Sequence, residues 1–188
     1  MIRTPIRLIV LLAASFTAIA LAAPAQAATP YCGITWGSLA KQGSSAGGAD
    51  ITNVRAGRHD CYDRLVIDLN GSPQPGSWSA QYVDQVRQDP SDQPVPLRGG
   101  AFLRIVAHAP EVTPDGVPTY APADRTELVD VTGFRTFRQV ADAGSSEGVS
   151  SFGLGVRARL PFRVFTLSGP GSSSSSRIVV DVAHLWQQ

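Results

Sequence analysis

A chain of 188 residues with 16 Lys+Arg against 15 Asp+Glu has room for one folded domain, two at most, and carries almost no net charge. It has no basic stripe to follow a phosphate backbone, which excludes nucleic acid as a partner. Its two cysteines are too few for a disulfide-dense scaffold and lack the spacing of a zinc site.

The chain opens with Arg3 and Arg7, an apolar run from Leu8 to Ala23, and the small-x-small triplet Ala25-Gln26-Ala27. A basic start, a short apolar middle and such an end make a secretory signal peptide over residues 1–27. The apolar stretch is shorter than the roughly 20 residues a spanning helix needs, so a cleaved leader is expected rather than an anchor, and no membrane span after cleavage. Cleavage removes Arg3 and Arg7 and leaves the remainder slightly acidic. Export places Cys32 and Cys61 where thiols oxidise, and the pair reads as a disulfide. A loop of about 28 residues closed in this way is worth about 3–4 kcal/mol on the chain-entropy argument. Pro30-Tyr31 before Cys32 is unlike the small residues that precede a lipidated cysteine.

Residues 28–49 read as an N-terminal strap and linker. Trp36 is its apolar anchor, and Gly43-Ser44-Ser45-Ala46-Gly47-Gly48 is a flexible connection by composition. From residue 50 to 188 the period is two. Leu65, Ile67 and Leu69 alternate with Arg64, Val66 and Asp68. Runs around Trp78–Tyr82, Phe102–Val106, Phe152–Arg157 and Arg177–Val182 behave alike. About nine short strands are expected, in an all-β sandwich or barrel. The inward set includes Leu65, Ile67, Val164 or its neighbour Phe165, Val180 and Val182. A short helix is expected only around Arg138 to Ala143. Three loops stand out: Asn70 to Ser77, the four-proline excursion Ala109 to Pro122, and the mobile hairpin loop Gly169 to Ser176.

Chemical motifs are sparse. Ser38-Leu39-Ala40-Lys41 has the S-x-x-K form of penicillin-binding enzymes, but Lys41 is the chain's single lysine and the partner K-T-G strand is missing. His59 with Cys61, or with a serine, could seed nucleophilic catalysis, but Cys61 is better explained as half of the disulfide. His59, Asp60 and Asp63 crowd three possible ligands together without any metal-binding spacing, so no metal and no cofactor is expected. The densest polar segment runs from Arg55 to Arg64. Its plain reading is a strand connection whose arginines pair with nearby aspartates. Its functional reading is a binding surface of Arg55, Arg58, His59, Asp60, Tyr62 and Arg64, since these combine charge, planarity and donors. No catalytic residue is expected.

That segment, Val54-Arg55-Ala56-Gly57-Arg58-His59-Asp60-Cys61-Tyr62-Asp63-Arg64-Leu65-Val66-Ile67-Asp68, resembles the opening of the AMIN-like domain of secreted actinobacterial proteins. Tyr82-Val83-Asp84, Pro94-Val95-Pro96, Pro161-Phe162-Arg163-Val164-Phe165-Thr166-Leu167 and Arg177-Ile178-Val179-Val180-Asp181-Val182 extend the resemblance across Asp50 to Ala183. It implies a small β-sandwich related to the AMIN module, which targets cell-wall amidases to the envelope, and no amidase domain is expected after it here. The expected role is a secreted or envelope-associated, non-catalytic domain that binds peptidoglycan or an envelope protein. The alternatives are a small secreted hydrolase with a site near His59 and a carrier holding an apolar ligand inside the sandwich.

Overall fold

The computed structural model describes residues 30–46, 49–70, 75–169 and 175–186; the signal peptide expected over residues 1–27 lies outside them. Among these residues there are nine strands and one 3-10 turn, Tyr31–Gly33. The strands are β1 (Lys41–Ala46), β2 (Asp50–Arg58), β3 (Tyr62–Asn70), β4 (Pro75–Val83), β5 (Ala101–Ala107), β6 (Phe137–Ser146), β7 (Val149–Val156), β8 (Phe162–Ser168) and β9 (Ser175–Ala183). They form two antiparallel sheets, one ordered β2-β3-β9-β8 and the other β1-β4-β5-β7-β6. The all-β expectation holds, and the sheets face each other as a sandwich.

Alternation decides which side chains meet between the sheets. Leu65, Ile67 and Leu69 of β3 join Ile178, Val180 and Val182 of β9, and face Ala80, Leu103, Ile105, Phe152 and Leu154 of the other sheet. Each large apolar side chain removed from water in this way contributes about 1.5–3 kcal/mol. Phe137, Phe152 and Phe162 are all fully buried, so the interior is occupied by the chain's own side chains. Val164 lies partly buried against this core, whereas Phe165 takes the opposite face of β8.

Two local expectations are corrected. The Arg138–Ala143 segment is not a helix but the middle of β6. Its pairing with β7 shifts register between Phe137 and Gln139 and again between Asp142 and Ser145, so the period of two is broken twice in ten residues. The Gly-Ser segment is not slack along its length: residues up to Ala46 belong to β1, paired with β4. Gly43 lies opposite Trp78, and a Cβ there would stand 2.5 Å from the indole. A glycine at position 43 is what lets this strand lie over Trp78. Gly47 and Gly48 lie outside the described residues, as do 71–74 and 170–174.

The Cys32–Cys61 disulfide is present, with Cα atoms 6.4 Å apart. It fixes the strap to the β2–β3 turn. The strap then pairs once with β8, where the Phe162 N–H donates to the Gly37 carbonyl at 2.8 Å, before entering β1 of the opposite sheet. Replacing both cysteines by serine should lower stability by about 3–4 kcal/mol. Hydrogen exchange should then speed up between Tyr31 and Trp36 while β1 stays protected by β4. Loss of protection throughout β1 would show that strap and strand fold as one unit.

The outer faces of the two sheets differ. Residues 84–100 lie back over the five-stranded sheet: Val86 is buried, the Asp89 N–H donates to the Ala143 carbonyl, and the Asp89 carboxylate takes bonds from Arg104 and Ser151. On the other side, among the described residues, the strap crosses part of the four-stranded sheet. That face carries a cluster of charged and aromatic side chains in mutual contact.

Candidate functional site

The outward positions of the four-stranded sheet follow from its register. One cross-strand row reads Gly57, Arg64, Asp181, Arg163; the next reads Arg55, Val66, Val179, Phe165. Asp181 at the centre is fully buried although it faces outward, because arginines close over it from both sides. Arg64 forks onto it, Nε to Oδ1 at 2.7 Å and Nη2 to Oδ2 at 2.9 Å. Arg163 donates Nε to Oδ2 at 2.8 Å. The hydrogen bond to Asp181 also holds the Arg64 guanidinium above its ordinary pKa.

Aromatic rings fill the spaces between these charges. The Arg163 guanidinium carbon is 5.5 Å from the Trp36 ring, 5.4 Å from Tyr62 and 5.0 Å from Phe165. Arg64 lies 5.2 Å from Tyr62 and 5.5 Å from Phe165. Trp36 and Tyr62 are 5.9 Å apart, and the Trp36 indole N–H is tied to the Tyr31 carbonyl at 2.9 Å. The disulfide-bound strap therefore contributes one wall of the cluster. Each cation–ring contact is worth about 0.5–1 kcal/mol at such half-exposed positions, enough together to fix the arginine planes.

The sequence-derived surface is divided by the fold. Arg55, Tyr62 and Arg64 do share the outer face, with Arg55 forked onto Asp68 and raised in pKa by that bond. His59 is exposed and stacks on Tyr62 at 4.5 Å, extending the aromatic surface. Arg58 pairs across the hairpin with Asp63, an inward position, and lies 6.0 Å from the Phe134 ring. Asp60 contributes its backbone carbonyl, which faces His184 Nδ1. The crowded His59, Asp60 and Asp63 thus do not converge. Asp63 is fully buried, where it binds His184 and the backbone N–H groups of Thr136 and Phe137. Residue-by-residue reading missed Arg163, Phe165 and Asp181 as members of the face. Their signal was alternation in β8 and β9, opposite to Phe162, Val164, Val180 and Val182.

A second polar cluster lies at the base of the 108–136 connection. Arg125 bridges Glu111 and Asp142, both almost completely buried. Burial, then the nearby Asp142 charge, pushes the Glu111 carboxyl above its usual range, and burial pushes Tyr120 up to about 12. Asp142 also accepts the Gly144 N–H, and the Glu111 carbonyl takes the N–H groups of Thr119 and Tyr120. The contacts go to backbone and to Arg125, so the cluster closes the connection onto β6. Among the described residues no group of three or more His, Cys, Asp or Glu could hold a metal ion.

The match that places this sandwich covers residues 49–184, every strand of the fold except β1, with the family described as AMIN-like domain. The chain belongs to the AMIN-like domain family. The aromatic-arginine face is therefore built almost wholly inside the AMIN-like domain, with Trp36 and the cysteine of the strap added from outside it. Comparisons with curated proteins and with solved structures gave no significant match. Among the described residues no helix is long and apolar enough to cross a membrane.

Proposed function

We propose that this AMIN-like domain is a secreted, non-catalytic module that binds peptidoglycan at the cell envelope, using the outer face of its four-stranded sheet. Membership of the family supports an envelope-binding role. The observation that carries the choice of surface is the Arg64–Asp181–Arg163 row with Trp36, Tyr62 and Phe165 around it. Aromatic rings offer flat apolar surface with little entropy to lose on binding, and guanidiniums supply fixed donors. Sugar polymers, with apolar ring faces and polar edges, suit that combination. The leader read from residues 1–27 supports export to the compartment where such a polymer is found.

Co-sedimentation of the purified protein with insoluble peptidoglycan tests the reading. Retention well above that of an unrelated secreted control is expected, and Tyr62→Ala should weaken it several-fold. Equal recovery of protein and control in the supernatant would sink the glycan ligand and turn the search to an envelope protein.

A further inference from the structure

Resting on the peptidoglycan reading, we propose that Arg163 is the anion-receiving centre of this face and that the unit it takes is a carboxylate carried beside a sugar ring. Only one edge of its guanidinium is used by the protein: Nε is bonded to Asp181, while Nη1 and Nη2 have no acceptor among the described residues. The side chain is 31% exposed, so those two nitrogens are within reach of solvent. Their position is nevertheless fixed. Asp181 holds one edge, and Trp36, Tyr62 and Phe165 bound the rest at 5.0–5.5 Å.

The charge count points to an anion. Asp181 is the one carboxylate in the row, and it is already shared with Arg64, which takes both of its oxygens. Two guanidiniums against one carboxylate leave an excess positive charge at a half-buried, ring-lined place. A planar fork with parallel N–H donors matches a carboxylate in two-point geometry, and an ammonium would not. The flanking rings say what carries the anion. Trp36 and Tyr62 stand next to Arg163, so a ligand whose carboxylate meets Nη1 and Nη2 lays its adjoining atoms on those rings. A sugar ring bearing a carboxylate on a short arm satisfies both contacts at once.

The test compares three solids: peptidoglycan stripped of phosphate polymers, the same material with its carboxylates converted to amides, and chitin, which has sugar rings without carboxylates. The wild-type protein should bind the first on the order of tenfold more tightly than the other two, the scale of one charge-assisted contact. Arg163→Gln should lose the same factor on native peptidoglycan and lose nothing more on the amidated form. Arg87→Gln, on the opposite sheet's covering loop, should match wild type throughout. Because amidation alters the ligand alone, its result does not depend on how the variant folds. Equal binding of wild type to native and amidated material would overturn the carboxylate assignment while leaving the peptidoglycan reading intact. No binding to native material would overturn that reading itself, and the assignment with it.

Discussion

Gly144→Ala should destabilise the protein by about 2–5 kcal/mol, whereas Gly148→Ala, four residues on, should cost about 1–2 kcal/mol. Both glycines have left-handed backbones, at φ +95° and +78°. An L-residue in that region is strained by about 1–2 kcal/mol, and both variants share this penalty. Only Gly144 is also crowded. A Cβ there would stand 2.0 Å from the Asp89 carbonyl oxygen, while nothing lies within 4 Å of one at Gly148. The neighbour is backbone, held by the Asp89 N–H bond to Ala143 at 2.7 Å, so it cannot rotate away as a side-chain tip would. Overpacking of this kind adds about 1–3 kcal/mol. Urea midpoints of the two variants at unchanged slope give the comparison. Equal losses would mean that residues 84–100 do not lie tightly on β6, and the contrast between a covered and an open outer face would fall with it.

That contrast shows what a sequence can and cannot reveal here. Strands that keep a strict period of two, such as Arg64–Leu69 and Arg177–Val182, were legible because one face of each is apolar throughout. β6 was not, because two register shifts move its side chains between faces and because residues 84–100 cover its outer side. β1 was hidden for another reason: Gly43 is what lets the strand lie over Trp78, and composition alone reads its Gly-Ser run as a linker. The face proposed to bind was half legible. Arg55, Tyr62 and Arg64 alternate along one hairpin, so their shared side follows from spacing. Arg163, Phe165 and Asp181 are about a hundred residues away in the chain, and the β3-β9-β8 order is what brings them to Arg64. Arg58 and Asp60 were drawn into the surface by their position in the sequence, but the hairpin turns them to its inner side and its end. His59 and Asp63 were adjacent candidates for one site, yet lie on opposite faces.

Asp63→Ala should be among the most damaging single substitutions in the domain, at about 3–5 kcal/mol, because it removes the acceptor at a buried junction. Asp63 Oδ2 takes the backbone N–H groups of Thr136 and, at 3.1 Å, Phe137, which start β6. Its Oδ1 lies 3.1 Å from His184 Nε2, and His184 Nδ1 lies 3.1 Å from the Asp60 carbonyl. Through these bonds one carboxylate joins β3, the end of β9, the start of β6 and the turn that carries Cys61. Alanine would leave two buried N–H donors and an imidazole nitrogen unmatched, each costing about 1–3 kcal/mol before any relaxation. Asparagine separates the hydrogen bonds from the charge. Its carbonyl oxygen can accept from Thr136 and Phe137 while its amide donates to His184 Nε2, provided the imidazole carries its single proton on Nδ1 and donates to Asp60. Asp63→Asn should therefore cost less than half of what Asp63→Ala does. It should also keep the Thr136 and Phe137 amides protected from hydrogen exchange, and the alanine variant should expose both. If asparagine and alanine prove equally destabilising, the junction depends on the negative charge of Asp63 rather than on the shape of its hydrogen bonds.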